Sequence, residues 1–135
     1  MIQQEMGTTG NAQLNAVVKS INSLKPDYCI SVHMNSSANN TANGIETLYT
    51  SEAGKLLASA VQDALKSLKV FTDRGIKKDT RGLALLKMTN MPACLTEIGF
   101  ISNADERSQL NADKRKQATA KAIADGIQKY IQQHK

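Results

Sequence analysis

Tryptophan is missing from this chain, and three tyrosines and two phenylalanines are its only aromatic residues. No run of Lys or Arg is interleaved with Phe or Tyr, as base-stacking platforms for nucleic acid require. Cysteine is just as scarce. Cys29 and Cys94 are too few for a disulfide framework, and no C-x-x-C pair points to zinc or redox chemistry. Each lies in an apolar, strand-like run, the usual setting of a buried structural thiol. No apolar run reaches the length of a bilayer-spanning helix, so no membrane insertion is expected. The N-terminus also lacks the charged, apolar and small-residue order of a signal peptide. The chain is therefore expected to be cytoplasmic until released or exported by a route other than a Sec signal of its own.

What is present is the composition of one soluble globular domain: 135 residues, 41% hydrophobic and 21% charged. The formal net charge of +5 favours acidic partners, whether nucleic acid, an anionic membrane or an anionic polymer such as a bacterial wall. The basic residues are scattered. Lys77-Lys78 and Lys114-Arg115-Lys116 are the only clusters, and both read as solvated faces.

Met1 to Gly10 has no periodicity and reads as loop. Leu14, Val17, Val18, Ile21 and Leu24 then recur at helical spacing, with Asn11 as a cap and Pro26 as the stop. Tyr28 to His33 reads as a buried strand, followed by a loop rich in Asn and Ser. Gly44 to Thr50 is a second extended piece. Ser51 can cap a helix with Leu57, Val61, Ala64, Leu65 and Leu68 on its inward stripe. Val70 to Arg81 is a basic, polar connection, and Leu83 to Leu86 is a short apolar run expected as strand. After Pro92, the apolar run from Ala93 is expected as a strand covered on both faces. Asn103 with Glu106 fits a capping box. The last helix would bury Ala120, Ile123, Ala124, Ile127, Tyr130 and Ile131. Strands alternating with amphipathic helices imply a single layered α/β domain, a mostly parallel sheet flanked by helices.

Two residues stand where such sheets carry chemistry, at the carboxyl ends of strands. Glu97 closes the run that begins at Ala93, just before Gly99 and a Ser-Asn turn. His33 closes its own strand before Asn35 and Ser36. Taken singly, each has a plain structural explanation: a glutamate meeting water or a lysine, and a histidine satisfied at a strand end. Together they are half of a hydrolytic site, since an imidazole binds zinc and a nearby free carboxylate accepts a proton from the attacking water.

Ser31-Val32-His33-Met34-Asn35, Gly44-Ile45-Glu46-Thr47, Arg81-Gly82-Leu83-Ala84 and the stretch from Met91 to Asn103 occur in a telling order. This order resembles that of the zinc-dependent N-acetylmuramoyl-L-alanine amidases of amidase-3 type, with which bacteria and phages cut peptidoglycan. The likeness runs from about Leu14 to the C-terminus. It implies hydrolysis of the amide between N-acetylmuramic acid and the L-alanine of the stem peptide. It further implies Zn²⁺ as cofactor, His33 as one of three zinc ligands, and Glu97 as the catalytic glutamate. Asn35 and Arg81 fall where the family lines its substrate groove. Peptidoglycan would be the partner, nucleic acid would not, and the site of action would be the bacterial cell wall.

The family's other two ligands, a histidine in a Gly-His-Gly motif and a glutamate in the following helix, lie upstream of everything matched. They have no counterpart in this sequence. His134 belongs to the C-terminal tail, and Glu5 is too close along the chain to His33 to take the glutamate's place. The resemblance therefore implies an amidase domain that is N-terminally incomplete, with a bare sheet edge or apolar surface to cover. Such a chain is a truncated product, the result of an internal translation start, or half of a site completed by a homo-oligomer or a complementing chain. A non-catalytic wall-binding or regulatory module on the same fold is the alternative, and a basic nucleic-acid-binding α/β domain ranks third.

Overall fold

The computed structural model describes residues 10–134. Four strands form one sheet in the order β1-β4-β2-β3: β1 (Cys29–Asn35), β2 (Ile45–Tyr49), β3 (Asp73–Lys78) and β4 (Ala93–Phe100). β1 runs parallel to β4 and β2 parallel to β3, while the central β2–β4 pair is antiparallel. The sheet is thus mostly parallel, as expected, with one antiparallel seam through its middle.

α2 (Glu52–Lys66) forms because its apolar residues recur on one face and Ser51 caps it, the hydroxyl accepting from the Gly54 N–H at 2.9 Å. Leu57, Val61 and Leu65 drop from it onto Ile45 and Cys94. α5 (Asp113–Gln133) crosses α2 closely. A Cβ at Gly126 would lie 2.9 Å from the Ala60 carbonyl, so only glycine lets the two helices approach. On the opposite face Leu48, Ala93 and Leu95 pack against Leu86 of α3 (Ala84–Lys87). α1 (Gly10–Leu24) lies against α3, and Asn22 stitches the two, donating to the Met88 carbonyl and accepting from the Asn90 N–H, both at 2.9 Å. Among the described residues, no helix is long and apolar enough to cross a membrane.

Several expectations need correction. Leu83–Leu86 is not a strand. Four apolar residues fit either period, and here the N–H groups of Leu86 and Lys87 turn back to the Leu83 carbonyl as one helical turn. The Val70–Arg81 connection contains β3, whose charged residues hide its extended form because it is an edge strand, open to water. β1 is an edge strand as well, not a buried one, with Val32 and Met34 about half exposed. The last helix buries Thr119, Ala122 and Gly126, whereas Ala120, Ala124 and Ile131 are exposed. In α1, Val18 and Ile21 are buried but Leu14 and Leu24 are exposed. Met1 to Thr9 lie outside the described residues, and with them most of the expected loop, whereas Gly10 and Asn11 already belong to α1, so Asn11 is inside the helix and not its cap.

Asn103 does cap α4 (Ala104–Asn111), accepting from the N–H groups of Asp105 and Glu106. Glu106 does not complete the reciprocal box. Its buried carboxylate instead accepts from the N–H of Gly44 at 2.9 Å and of Phe100 at 2.8 Å, tying α4 to the start of β2 and the end of β4. Both cysteines are free, and burial followed by the neighbouring Cys29 pushes the Cys94 thiol up to about 12.

Candidate active site

Side chains alternate across a strand, so residues in register on neighbouring strands share a face. His33 on β1 is the register partner of Glu97 on β4, and Glu97 is in turn the partner of Glu46 on β2. The three therefore form one row on the α3 side of the sheet, spanning roughly 10 Å at the usual strand spacing. The row lies at the carboxyl ends of β1 and β4. The antiparallel seam makes this the amino end of β2 and β3, so Glu46 and Arg74 arrive from the beginning of their strands.

Glu46 is buried and fully engaged. Asn35 Nδ2 donates to its Oε1 at 3.0 Å, while Arg74 Nε at 3.1 Å and Lys77 Nζ at 2.5 Å donate to its Oε2. Burial alone would raise its proton affinity. The hydrogen bonds and charges of Lys77 and Arg74 outweigh that, and the carboxyl is held below its ordinary range. Lys77 is exposed, as expected of a solvated face, and also holds Glu46 at the rim.

Glu97 is the opposite case. It is half-buried, and its Oε2 is shut away from solvent with no hydrogen-bond partner among the described residues. Burial raises its proton affinity, His33 opposes this, the Glu46 charge adds to it, and Arg81 opposes it again; the net shift is upward. A carboxyl that holds its proton more tightly than usual, at the rim of a sheet, is suited to taking and returning one.

His33 is exposed on the open side of the row. Asn35 is committed to the scaffold: its Nδ2 holds Glu46, its Oδ1 accepts from the Ser36 N–H and its carbonyl from the Ile101 N–H. Arg81 is exposed, and its Nε lies 3.5 Å from Asp79 Oδ1. Asp79 also accepts from the Leu83 N–H at 2.8 Å, so it anchors the loop that carries Arg81. His134 stacks on Tyr130 and bonds its carbonyl, away from the row. Sequence reasoning did not assign roles to Glu46, Arg74 and Lys77. The Gly44-Ile45-Glu46-Thr47 motif held the signal for the first, whereas the cations become visible only through the sheet order.

A catalytic zinc ordinarily takes three protein ligands. Among the described residues no three of His, Cys, Asp or Glu converge to hold a metal ion. With Glu46 neutralised by two cations, only His33 and Glu97 remain in the row, fewer than three donors. These residues by themselves do not fit a catalytic zinc.

Fold and row together define a layered α/β domain with an imidazole and a half-buried carboxyl in register at the sheet rim. The sequence profile of the N-acetylmuramoyl-L-alanine amidase family matches residues 4–129, and the chain belongs to that family. N-acetylmuramoyl-L-alanine amidase LytC of Bacillus subtilis is 36% identical over 112 residues, which are 80% of this chain and 22% of LytC. The catalytic domain of the amidase CwlV from Bacillus (Paenibacillus) polymyxa superimposes with a TM-score of 0.82 at 35% identity, covering 88% of this chain and 65% of that one. An N-acetylmuramoyl-L-alanine amidase from Clostridium difficile 630 gives 0.83 at 32%, with the same coverage. The chain spans 36% of the length of the staphylococcal relatives it matches, so it corresponds to part of a longer protein in each comparison.

Proposed function

We propose that this chain carries part of the active site of a peptidoglycan hydrolase that cleaves the amide between N-acetylmuramic acid and the L-alanine of the stem peptide. The observation supporting this most directly is the in-register pairing of His33 with Glu97 in a chain of the amidase family. Glu97 takes a proton from the attacking water and returns it to the leaving amine, a task suited to a carboxyl whose proton affinity burial has raised. Arg81, whose charge reaches Glu97, faces the open side of the rim and favours an anionic substrate. Asn35 acts beneath the groove by holding Glu46. His33 is one donor toward Zn²⁺, and the rest of the donor set comes from outside residues 10–134. The place of action is the bacterial cell wall.

That no three metal donors converge among the described residues also favours a second reading, a wall-binding module that has kept the groove without the chemistry. Purified peptidoglycan with added zinc separates the two. Hydrolysis by the wild type that falls by about 10²–10⁴-fold in Glu97→Gln supports the first reading, together with a comparable loss in His33→Ala. Equal activity in all three removes the assigned roles. Pelleting with insoluble walls and no hydrolysis by any of them assigns the second.

A further inference from the structure

Charge is distributed unevenly along the row. At one end, β1 carries no Lys, Arg, Asp or Glu. At the other, two carboxylates, Glu46 and Asp79, meet three cations, Arg74, Lys77 and Arg81. The carboxylates are the buried members: Glu46 lies in the core and the Asp79 side chain is 2% exposed. The Lys77 and Arg81 side chains are 47% and 65% exposed, yet each is held by its buried partner. An ammonium has three donors, and Glu46 Oε2 engages one of those on Lys77 Nζ among the described residues. Arg74 has less to offer. Its Nε serves Glu46, its Nη1 the Asn43 carbonyl, and its cation lies 5.1 Å over the Phe100 ring. Register decides which face each lysine takes. Lys77 pairs with Leu48, two residues beyond Glu46, and so lies on the row's side of the sheet, whereas Lys78 pairs with Tyr49 and lies on the other.

We propose that Lys77, with Arg81 beside it at the rim, is the subsite for a free carboxylate of the stem peptide, two residues from the scissile amide. The peptide then runs from Glu97 toward β3, and the glycan lies toward β1. The proposal rests on the amidase reading above, which places the scissile amide at Glu97. Two lengths agree. Glu46 is one strand spacing, about 5 Å, from Glu97, and Lys77 reaches it from the next strand. An extended peptide covers about 3.3–3.6 Å per residue. The L-alanine alone falls short of that gap, and the residue after it brings its carboxylate over the Lys77 ammonium. Where that residue is a D-glutamate joined onward through its side chain, the α-carboxylate is free, and amidation removes its charge. The site therefore discriminates the acid from the amide. A lysine already pinned by a buried carboxylate loses less side-chain freedom on binding than a free one, so the cation is preorganised for this contact.

The probes are N-acetylmuramoyl-L-alanyl-D-glutamate and its α-amide, N-acetylmuramoyl-L-alanyl-D-isoglutamine, each titrated into the full chain and followed by amide NMR shifts. The acid should bind about tenfold more tightly than the amide, moving the signals of residues 46 and 74–81. Lys77→Met should abolish that preference while leaving the affinity for the amide unchanged, which also reports that the variant is folded. Lys77→Arg should restore most of it. Lys78→Met, the same loss of charge on the opposite face, should keep it. Equal affinity for the two probes overturns the subsite, as does a preference that survives Lys77→Met. A preference lost equally in Lys78→Met overturns it in favour of general attraction to a basic chain. Inorganic phosphate producing the same shifts with the same dependence on Lys77 overturns it in favour of an unspecific anion site. Binding of neither probe removes the subsite together with the amidase groove, whereas equal binding of both removes the subsite alone.

Discussion

The two halves of the sheet are finished to different standards. On the β2–β3 side the edge is guarded by charge, and everything behind it is sealed: Leu57, Val61, Thr47, Thr96 and Cys94 are the largest fully buried side chains of the described residues. On the β1 side the strand is uncharged, its outer edge has no partner among the described residues, and the helix face above it lines an open groove. The candidate chemistry straddles this boundary. Glu46 is locked on the sealed side by three donors, His33 stands exposed on the open side, and Glu97 lies between them. A half-built rim can therefore be rigid where it holds charge and still lack partners where it must bind. Stability resides in the sealed half, while the candidate chemistry straddles the boundary.

The sharpest break of that contrast is a core deletion on the sealed side. Leu57→Ala removes a side chain with no exposure, packed among Val61, Leu65 and Cys94. It should cost about 2–5 kcal/mol in urea unfolding, mostly from the cavity left behind. A loss under about 1 kcal/mol would mean that α2 is not the seal described, and that the two halves are alike.

A smaller effect tests the boundary itself, where two carboxyls in register have opposite shifts. Glu46 is held below its ordinary value, so its stabilisation is present above the unfolded value and is lost as pH falls through the folded one. Glu97 is raised, so its contribution runs the other way. Stability is greatest below its unfolded value and declines as pH rises through the folded one. Glu46→Gln should lower stability at pH 7 by about 1–3 kcal/mol, the scale of hydrogen bonds to a charged group, and flatten the acid limb of a stability–pH curve. Glu97→Gln should leave the acid limb and raise the neutral plateau. If both variants moved the curve in the same direction, the division between a locked and a strained carboxyl would be wrong.

How far the sequence foretells this arrangement depends on what each residue answers to. α2 was legible because Ser51 and the Leu57–Val61–Leu65 spacing are local signals that packing then used. His33 and Glu97 do meet side by side, although β1 runs on to Asn35 and β4 to Phe100, so neither closes its strand as expected. β3 was hidden because an edge strand keeps its charges, and Leu83–Leu86 was ambiguous because four residues do not define a period. Periodicity also says which face of α5 is apolar but not whether anything covers it. Ala124 carried the right pattern for a core and is exposed in an open groove instead, while Ile123 lines that groove and also packs on the core. Glu106 looked like half of a capping box, yet its partners Gly44 and Phe100 lie on other elements, beyond any local motif. The cations around Glu46 follow from strand order, which no local spacing encodes.

The smallest expected effect is the most exacting test of the open half. Val32 is 51% exposed on the outer strand, so exchanging one of its methyl groups for a hydroxyl removes little buried surface and leaves no donor stranded from water. Threonine keeps the branched Cβ and its preference for extended backbone. Val32→Thr should therefore shift unfolding by no more than about 0.5 kcal/mol, read in the same urea titration as Leu57→Ala. A cost of about 1.5 kcal/mol or more would show that the β1 face is already covered in the isolated chain. The contrast between the two halves would then fail on its open side, where the sealed core cannot rescue it.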